Sequence, residues 1–123
     1  MRLFRDDRGA TVVEFALVAL PVLLFMIGIM QTGYIVWADN LLHVSVDTAA
    51  RCGAVHSTTL PCSGADMAST ANTVFRPLSG ATFGNNSNCS ADGGAGLVGS
   101  YTVNFLAVTL TLTAQSCYPT VRS

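Results

Sequence analysis

The sequence contains no lysine and few charged residues of any kind. Only 11% of its 123 residues are charged, whereas a typical soluble domain has about 25%. All six basic residues are arginines, and the net charge is −1, so there is no cationic patch that could neutralise phosphates. This composition argues against a nucleic-acid-binding protein.

Polar residues are absent from Phe15 to Met30, and after Gln31 the run continues from Thr32 to Trp37. As a helix, residues 10–37 would be about 42 Å long, more than the roughly 30 Å hydrocarbon core of a bilayer. A soluble core helix would carry a polar stripe, which this segment lacks. The segment predicts one membrane span, with Tyr34 and Trp37 at the interface.

A cleaved secretory signal ending at Ala38 is the alternative to a span. The apolar region of such a signal normally runs about 7–15 residues, shorter than this segment. Three arginines precede the apolar run, at positions 2, 5 and 8, and Asp39 and Asp47 follow it. By the positive-inside rule this asymmetry places the N-terminus in the cytoplasm.

No cysteine lies within or before the apolar run, and the sequence has four after it. They lack the Cys-x-x-Cys or Cys/His spacing of a metal site. An even number on one side of a membrane span is typical of two disulfides in an oxidising compartment. Four cysteines allow three pairings, of which we favour Cys52–Cys62 with Cys89–Cys117.

Helical periodicity continues past the membrane, and we expect one helix of about 40–45 residues that is kinked at Pro21 and stopped at Gly53. A short helix is predicted from Ser63 to Phe75. Residues 78–99 are predicted as loop, with short strand fragments as an alternative, because Gly, Asn and Ser dominate there. From Tyr101 onward apolar residues alternate, with a change of phase after Phe105 that indicates a bulge or two strands. The apolar positions of the helix continuation are Leu41, Leu42, Val46, Ala49, Ala50 and Gly53.

The most informative motif is Arg8-Gly9-Ala10-Thr11-Val12-Val13-Glu14-Phe15. A basic leader ends in glycine, and a lone carboxylate stands five residues later, before an aromatic residue and the apolar helix. A charge in lipid costs several kcal/mol and is retained only where something compensates it. A simpler interpretation is that Glu14 sits solvated at the membrane interface.

This run resembles the prepilin cleavage motif of type IV filament systems. Residues 5–55, including Ala49-Ala50-Arg51 near the helix end, resemble the TadE-like family of pseudopilins, or minor pilins, of tight-adherence (Tad, or Flp) pilus systems. The resemblance implies cleavage by a prepilin peptidase between Gly9 and Ala10. It also implies that Glu14, followed by Phe15, pairs with the new amino group of Ala10 when subunits assemble.

Together these features predict an α+β, pilin-like chain with a long N-terminal helix and a small, strand-containing, disulfide-bearing domain. We expect a leader over residues 1–9, a transmembrane helix over 10–37, its amphipathic continuation over 38–55 and an extracytoplasmic domain over 56–123. The resemblance implies an inner-membrane protein with a cytoplasmic N-terminus and a periplasmic domain, which enters a surface pilus after assembly. Its expected partners are the prepilin peptidase and other pilin and pseudopilin subunits.

No catalytic constellation, metal site or cofactor is predicted from the sequence. His43 and His56 lack ligand spacing, and no nucleophile motif accompanies them. The function predicted is that of a structural subunit in the assembly or initiation of an adhesive pilus. The alternative is a single-span anchor for a small extracytoplasmic binding domain, and removal of the leader would distinguish the two.

Overall fold

The computed structural model describes residues 7–55, 64–91, 94–105 and 108–119. The chain forms two compact units, one ending at Tyr34 and the other starting at Ile35. The described elements combine helices with an antiparallel sheet of order β1-β2-β3, which confirms the α+β class. Their bounds are α1 Asp7–Val55, α2 Gly64–Val74, β1 Thr82–Asn85, α3 Ser87–Ala91, β2 Gly94–Phe105 and β3 Val108–Pro119.

Helix α1 is longer than the sequence indicated, with 49 residues, and it continues through Pro21 and past Gly53. Gly53 is therefore not the helix stop. It is buried, and a Cβ there would collide with the Sδ atom of Met67 and lie 3.3 Å from Cβ of Ala95. The glycine serves close packing in the core instead of helix termination.

The second half of α1 supplies one wall of the core, as its spacing predicts. Leu42, Val46, Ala49 and Ala50 are fully or almost fully buried. Their three- and four-residue spacing places them on one face of the helix. The core cluster also contains Ala38, Met67, Ala71, Phe75, Leu97, Tyr101, Val103 and Ala114.

Helix α2 forms close to the predicted segment and leads directly into Phe75. The Phe75 amide donates to the Ala71 carbonyl at 2.9 Å, extending the helical pattern by one residue. The Phe75 ring packs edge-to-face on Phe83 and Tyr101, with centroid distances of 5.9 and 5.2 Å. Ser63, the predicted cap, lies outside the described residues.

The prediction of loop over residues 78–99 was largely wrong, although the short strand fragments that it allowed are present. This stretch contains β1, α3 and the first half of β2. Three of its glycines, Gly94, Gly96 and Gly99, lie where neighbours approach too closely for a side chain. A Cβ on Gly99, for example, would lie 2.8 Å from the Phe83 ring and from Val46 Cγ2. A glycine-rich composition was therefore misread as loop, and the chain is strand from Gly94 onward.

Strands β2 and β3 pair along their whole length, from Gly94 opposite Pro119 to Phe105 opposite Val108. The change of phase after Phe105 thus separates two strands. Tyr101 and Val103 are buried on the core face, while Thr109, Thr111 and Thr113 are exposed. Strand β1 pairs with the middle of β2 and completes the sheet.

A disulfide between Cys89 and Cys117 joins α3 to β3, as favoured from the sequence. The two Cα atoms are 5.8 Å apart, within the usual range for such bonds. Cys52 is also disulfide-bonded. Its favoured partner, Cys62, lies outside the described residues, so that pairing stays a prediction.

Candidate functional site

The first unit presents a helix whose apolar side chains have no protein to cover them. From Thr11 to Met30 every described side chain except that of Ala19 is classed as exposed, including Phe15 at 75% exposure. Contiguous apolar surface on this scale marks an interface with lipid or with other chains. Helix α1 is long and apolar enough to cross a membrane.

Polar side chains near the end of this apolar stretch are satisfied within the helix itself. Thr32 Oγ1 donates to the Gly28 carbonyl at 2.9 Å, and Asn40 Nδ2 donates to the Val36 carbonyl at 2.8 Å. Such bonds to the preceding turn let a hydroxyl or amide remain in an apolar environment without an external partner. They are compatible with a helix that traverses lipid and leaves it near Asn40.

The motif residues Gly9, Ala10, Glu14 and Phe15 all lie on α1, which begins two residues before Gly9. Gly9, Glu14 and Phe15 are exposed. Because Ala10 and Glu14 are four residues apart in one continuous helix, their backbone positions lie on the same face, one turn apart.

This geometry can hold a positive charge at Ala10. Cleavage before Ala10 would create an amino group on the face that carries Glu14, and the exposed carboxylate could meet that amine or the amine of a neighbouring helix.

In the second unit, Asp47 connects α1 to β3 through two hydrogen bonds that the sequence did not reveal. Ser116 Oγ donates to Asp47 Oδ1 at 3.0 Å, and Tyr118 Oη donates to the same oxygen at 2.8 Å. The hydrogen bond, then local desolvation and the carboxylate charge, raises the pKa of Tyr118, and Arg51 opposes this shift. These bonds hold the helix that leaves the membrane against the last strand of the sheet.

We expect Asp47→Asn to lower the pKa of Tyr118, because the negative acceptor that disfavours tyrosinate is lost. The pKa of Tyr118 is higher in the folded state than in the unfolded state, so its interaction with Asp47 stabilises the fold fully below about pH 10. This contribution is lost as the pH rises through the folded-state pKa. An alkaline titration followed by tyrosinate absorbance measures the change in this pKa. The variant Tyr118→Phe identifies which part of the signal comes from Tyr118. Ser116→Ala is the control that leaves the carboxylate in place, and identical titrations of Asp47→Asn and wild type would contradict the prediction.

The histidines do not form a ligand set in the part of the chain that the structure describes. His43 Nε2 lies 4.0 Å from Asp39 Oδ1, one helical turn away, and both side chains are largely exposed. His56 is outside the described residues. Among the described residues no cluster of three or more His, Cys, Asp or Glu side chains could hold a metal ion.

A single exposed apolar helix that continues into a small, disulfide-bearing α+β domain defines a membrane-anchored protein of pilin-like architecture. Residues 9–51 match the model of the family described as TadE-like protein, which confirms the resemblance of this segment to that family. No curated protein and no solved structure matches the chain.

Proposed function

We propose that this chain is a minor pilin or pseudopilin, a structural subunit that acts in the assembly or initiation of a Tad pilus used for surface adherence. The family match over residues 9–51 supports this role, because it covers the cleavage-site glycine, Glu14 and the whole apolar helix. The observation that carries it is Glu14, an exposed carboxylate one turn from Ala10 at the start of an exposed apolar helix. A generic membrane anchor has no need of a charge at that position.

The folded domain after residue 55 favours a minor or priming subunit over a major one. A major pilin of such a system is usually short, with little beyond the helix, whereas this chain continues into α2, α3 and a three-stranded sheet. The Cys89–Cys117 disulfide supports a periplasmic location for this domain, because disulfides persist in oxidising compartments. The N-terminus is then cytoplasmic, where a prepilin peptidase would meet the leader.

Processing tests this function most directly. When the chain is produced with its own prepilin peptidase, we expect mature protein that begins at Ala10, as measured by intact mass of the membrane-extracted chain. Mature protein that begins at Met1 or at Asp39 would contradict the proposal and favour the anchor or secretory-signal alternatives.

A glycine substitution sharpens this test. A Cβ at Gly9 meets nothing within 4 Å, so Gly9→Val should leave the fold intact and block cleavage by altering the residue beside the cut bond. Gly33→Val is the matched control, since a Cβ at Gly33 on the same helix also meets nothing within 4 Å. We expect unprocessed protein for Gly9→Val and normal processing for Gly33→Val.

A further inference from the structure

Strand β3 forms one edge of the sheet, and its outer side has no strand beside it in the part of the chain that the structure describes. The sheet order is β1-β2-β3, and none of the described backbone hydrogen bonds outside the helices and strands involves β3. In an antiparallel pair, every second residue directs its N–H and C=O groups away from the partner strand. The outer side of β3 is therefore a row of backbone donors and acceptors that pair with no described backbone group.

The two edges of this sheet differ in their protection against further pairing. Edge strand β1 has only four residues, and a short edge is a poor template for another strand. Edge strand β3 has 12 residues, all paired with β2 in unbroken register, so no bulge twists this edge away. Proteins also protect edges with charged side chains and proline, but β3 has no charged residue and its one proline is its last residue, Pro119. Strand β3 is thus an edge suited to accept another strand.

The first half of β3 alternates threonine with aliphatic residues. From residue 108 to residue 113 the sequence is Val-Thr-Leu-Thr-Leu-Thr, a composition with high β propensity. All three threonines are exposed, and so are Val108, at 66%, and Leu110, at 39%. An uncharged edge with such side chains associates readily with another strand, and folded proteins normally cover it.

This alternation is self-complementary about Thr111. If two copies of β3 pair antiparallel across a twofold axis at Thr111, residue 109 of one copy lies opposite residue 113 of the other, and residue 110 lies opposite residue 112. Threonine is then opposite threonine and leucine is opposite leucine, and such cross-strand pairs stabilise a sheet. Because β3 has no charged residue, pairing with its own copy brings no like charges together and nothing disfavours it.

We propose that β3 is the interface of a homodimer, in which the β3 strands of two copies pair antiparallel about Thr111. The two sheets then form one continuous sheet of order β1-β2-β3-β3-β2-β1, with three strands from each copy. This pairing is isologous and closed, because each copy uses the same edge. Only the two short β1 edges remain outside, so the product is a dimer that does not grow into a fibre.

Strand β3 is held in place before any pairing occurs. Asp47 on α1 accepts hydrogen bonds from Ser116 and Tyr118, and the Cys89–Cys117 disulfide joins β3 to α3. A strand that is already ordered loses little conformational entropy when a second strand pairs with it. The preformed edge therefore favours association.

An apolar helix long enough to cross a membrane also favours a second copy as the partner. Chains that are inserted in one membrane meet at a raised effective concentration, so an interface made mainly by one strand from each copy suffices. The proposal does not depend on the pilin role. It can be tested on the full-length chain without other pilus proteins, and its failure would leave the processing test unaffected.

Cysteine cross-linking of the full-length chain in membranes tests the interface. Thr111→Cys would place two thiols directly opposite each other, with Cβ atoms about 4.5–5.5 Å apart. Thr102→Cys is the matched control, because Thr102 is also exposed and pairs with Thr111 within one chain. Thr102 lies three strand spacings, or about 14 Å, from its own copy across the dimer. On mild oxidation we expect at least about tenfold more disulfide-linked dimer for Thr111→Cys than for Thr102→Cys.

A mixture of two variants tests the direction and register of the pairing. Thr109→Cys alone and Thr113→Cys alone should link poorly, because each residue would lie four strand residues, or about 13 Å, from its own copy. When the two variants are co-expressed, residue 109 of one chain lies opposite residue 113 of the other, and we expect a linked dimer that contains one of each. Strong linkage of either variant with itself would contradict an antiparallel pair about Thr111.

Thr111→Lys provides an independent test, because two lysines opposite each other at the edge repel. In mild detergent we expect its dimer fraction, measured by sedimentation, to be at least about fivefold lower than that of the control Thr102→Lys. Both positions are exposed, and near-ultraviolet circular dichroism should show the same fold for both variants. Equal dimer fractions for the two lysine variants, or equal linkage of the cysteine variants at positions 111 and 102, would overturn the proposal. Linkage of Thr111→Cys to a different protein would also overturn it.

Discussion

Glu14→Gln should give a chain that inserts normally into the membrane but fails to join other pilus subunits. The apolar run from Phe15 onward, which drives insertion, is unchanged by the substitution. What changes is the partner available to the amino group of Ala10 after cleavage. If the two charges pair within an assembly, removing the carboxylate leaves an uncompensated positive charge in lipid.

The expected effect is large because both charges are desolvated in the assembled state. Loss of one partner from such a pair costs several kcal/mol, which changes an association constant by orders of magnitude. If water solvated Glu14 at the membrane interface instead, its replacement by an amide would have almost no effect on assembly. The substitution therefore separates an assembly role for Glu14 from the simpler interpretation that water solvates it.

Co-purification of the variant with other pilus subunits, together with a count of surface pili, measures this effect. Asp39→Asn is the control, because it removes a carboxylate from the same helix beyond the apolar run. We expect wild-type assembly for Asp39→Asn and loss of assembly for Glu14→Gln. Wild-type levels of both readouts in Glu14→Gln would exclude the assembly role of this carboxylate.

Phe75→Ala is expected to destabilise the second unit by about 3–5 kcal/mol, a typical cost for deleting a buried aromatic side chain. Phe75 is among the largest fully buried side chains, and its ring contacts both Phe83 and Tyr101 edge-to-face. Truncation removes these contacts and leaves a cavity between α2 and the sheet. Small domains have total stabilities of about 5–15 kcal/mol, so the variant should be close to unfolding.

Thermal unfolding of the full-length chain in detergent, followed by the near-ultraviolet circular dichroism of its aromatic residues, measures this loss. Val44→Ala is the control on the same unit, since Val44 is exposed on α1 and surface truncations usually change stability by less than about 0.5 kcal/mol. An unchanged midpoint for Phe75→Ala would show that its ring is not central to the core. A lower unfolding midpoint for Phe75→Ala, together with an unchanged midpoint for Val44→Ala, would support the packing described.

Much of helix α1 could be predicted from local sequence patterns. The charged leader, the apolar run after Glu14 and the periodic continuation through Val46 each reflect the preference of a side chain for water or lipid. Because that preference is a property of each side chain and does not depend on distant contacts, the periodicity of the apolar residues reveals it. The α+β class and the strand character after Tyr101 were visible for the same reason, but the pattern did not separate a bulge from two strands.

Close approach between distant segments was not visible in the sequence. Gly99 is required where the Phe83 ring and Val46 meet β2, and Gly53 is required beside Met67. In each case a glycine stands where a neighbouring side chain leaves no space for a Cβ atom. Composition alone suggested a loop or a helix stop, because the same residue type also makes turns.

The sequence by itself determined that this chain has one apolar helix, a cleavage-type motif at Gly9 and Glu14, and cysteines only after the apolar run. The tertiary structure decided that Asp47 holds Tyr118, 71 residues away in the chain, and that β2 runs antiparallel to the second half of α1. These features depend on strand register and on the direction in which a strand packs against a helix. Both are set by the combined packing of residues far apart in sequence, and no local pattern encodes them.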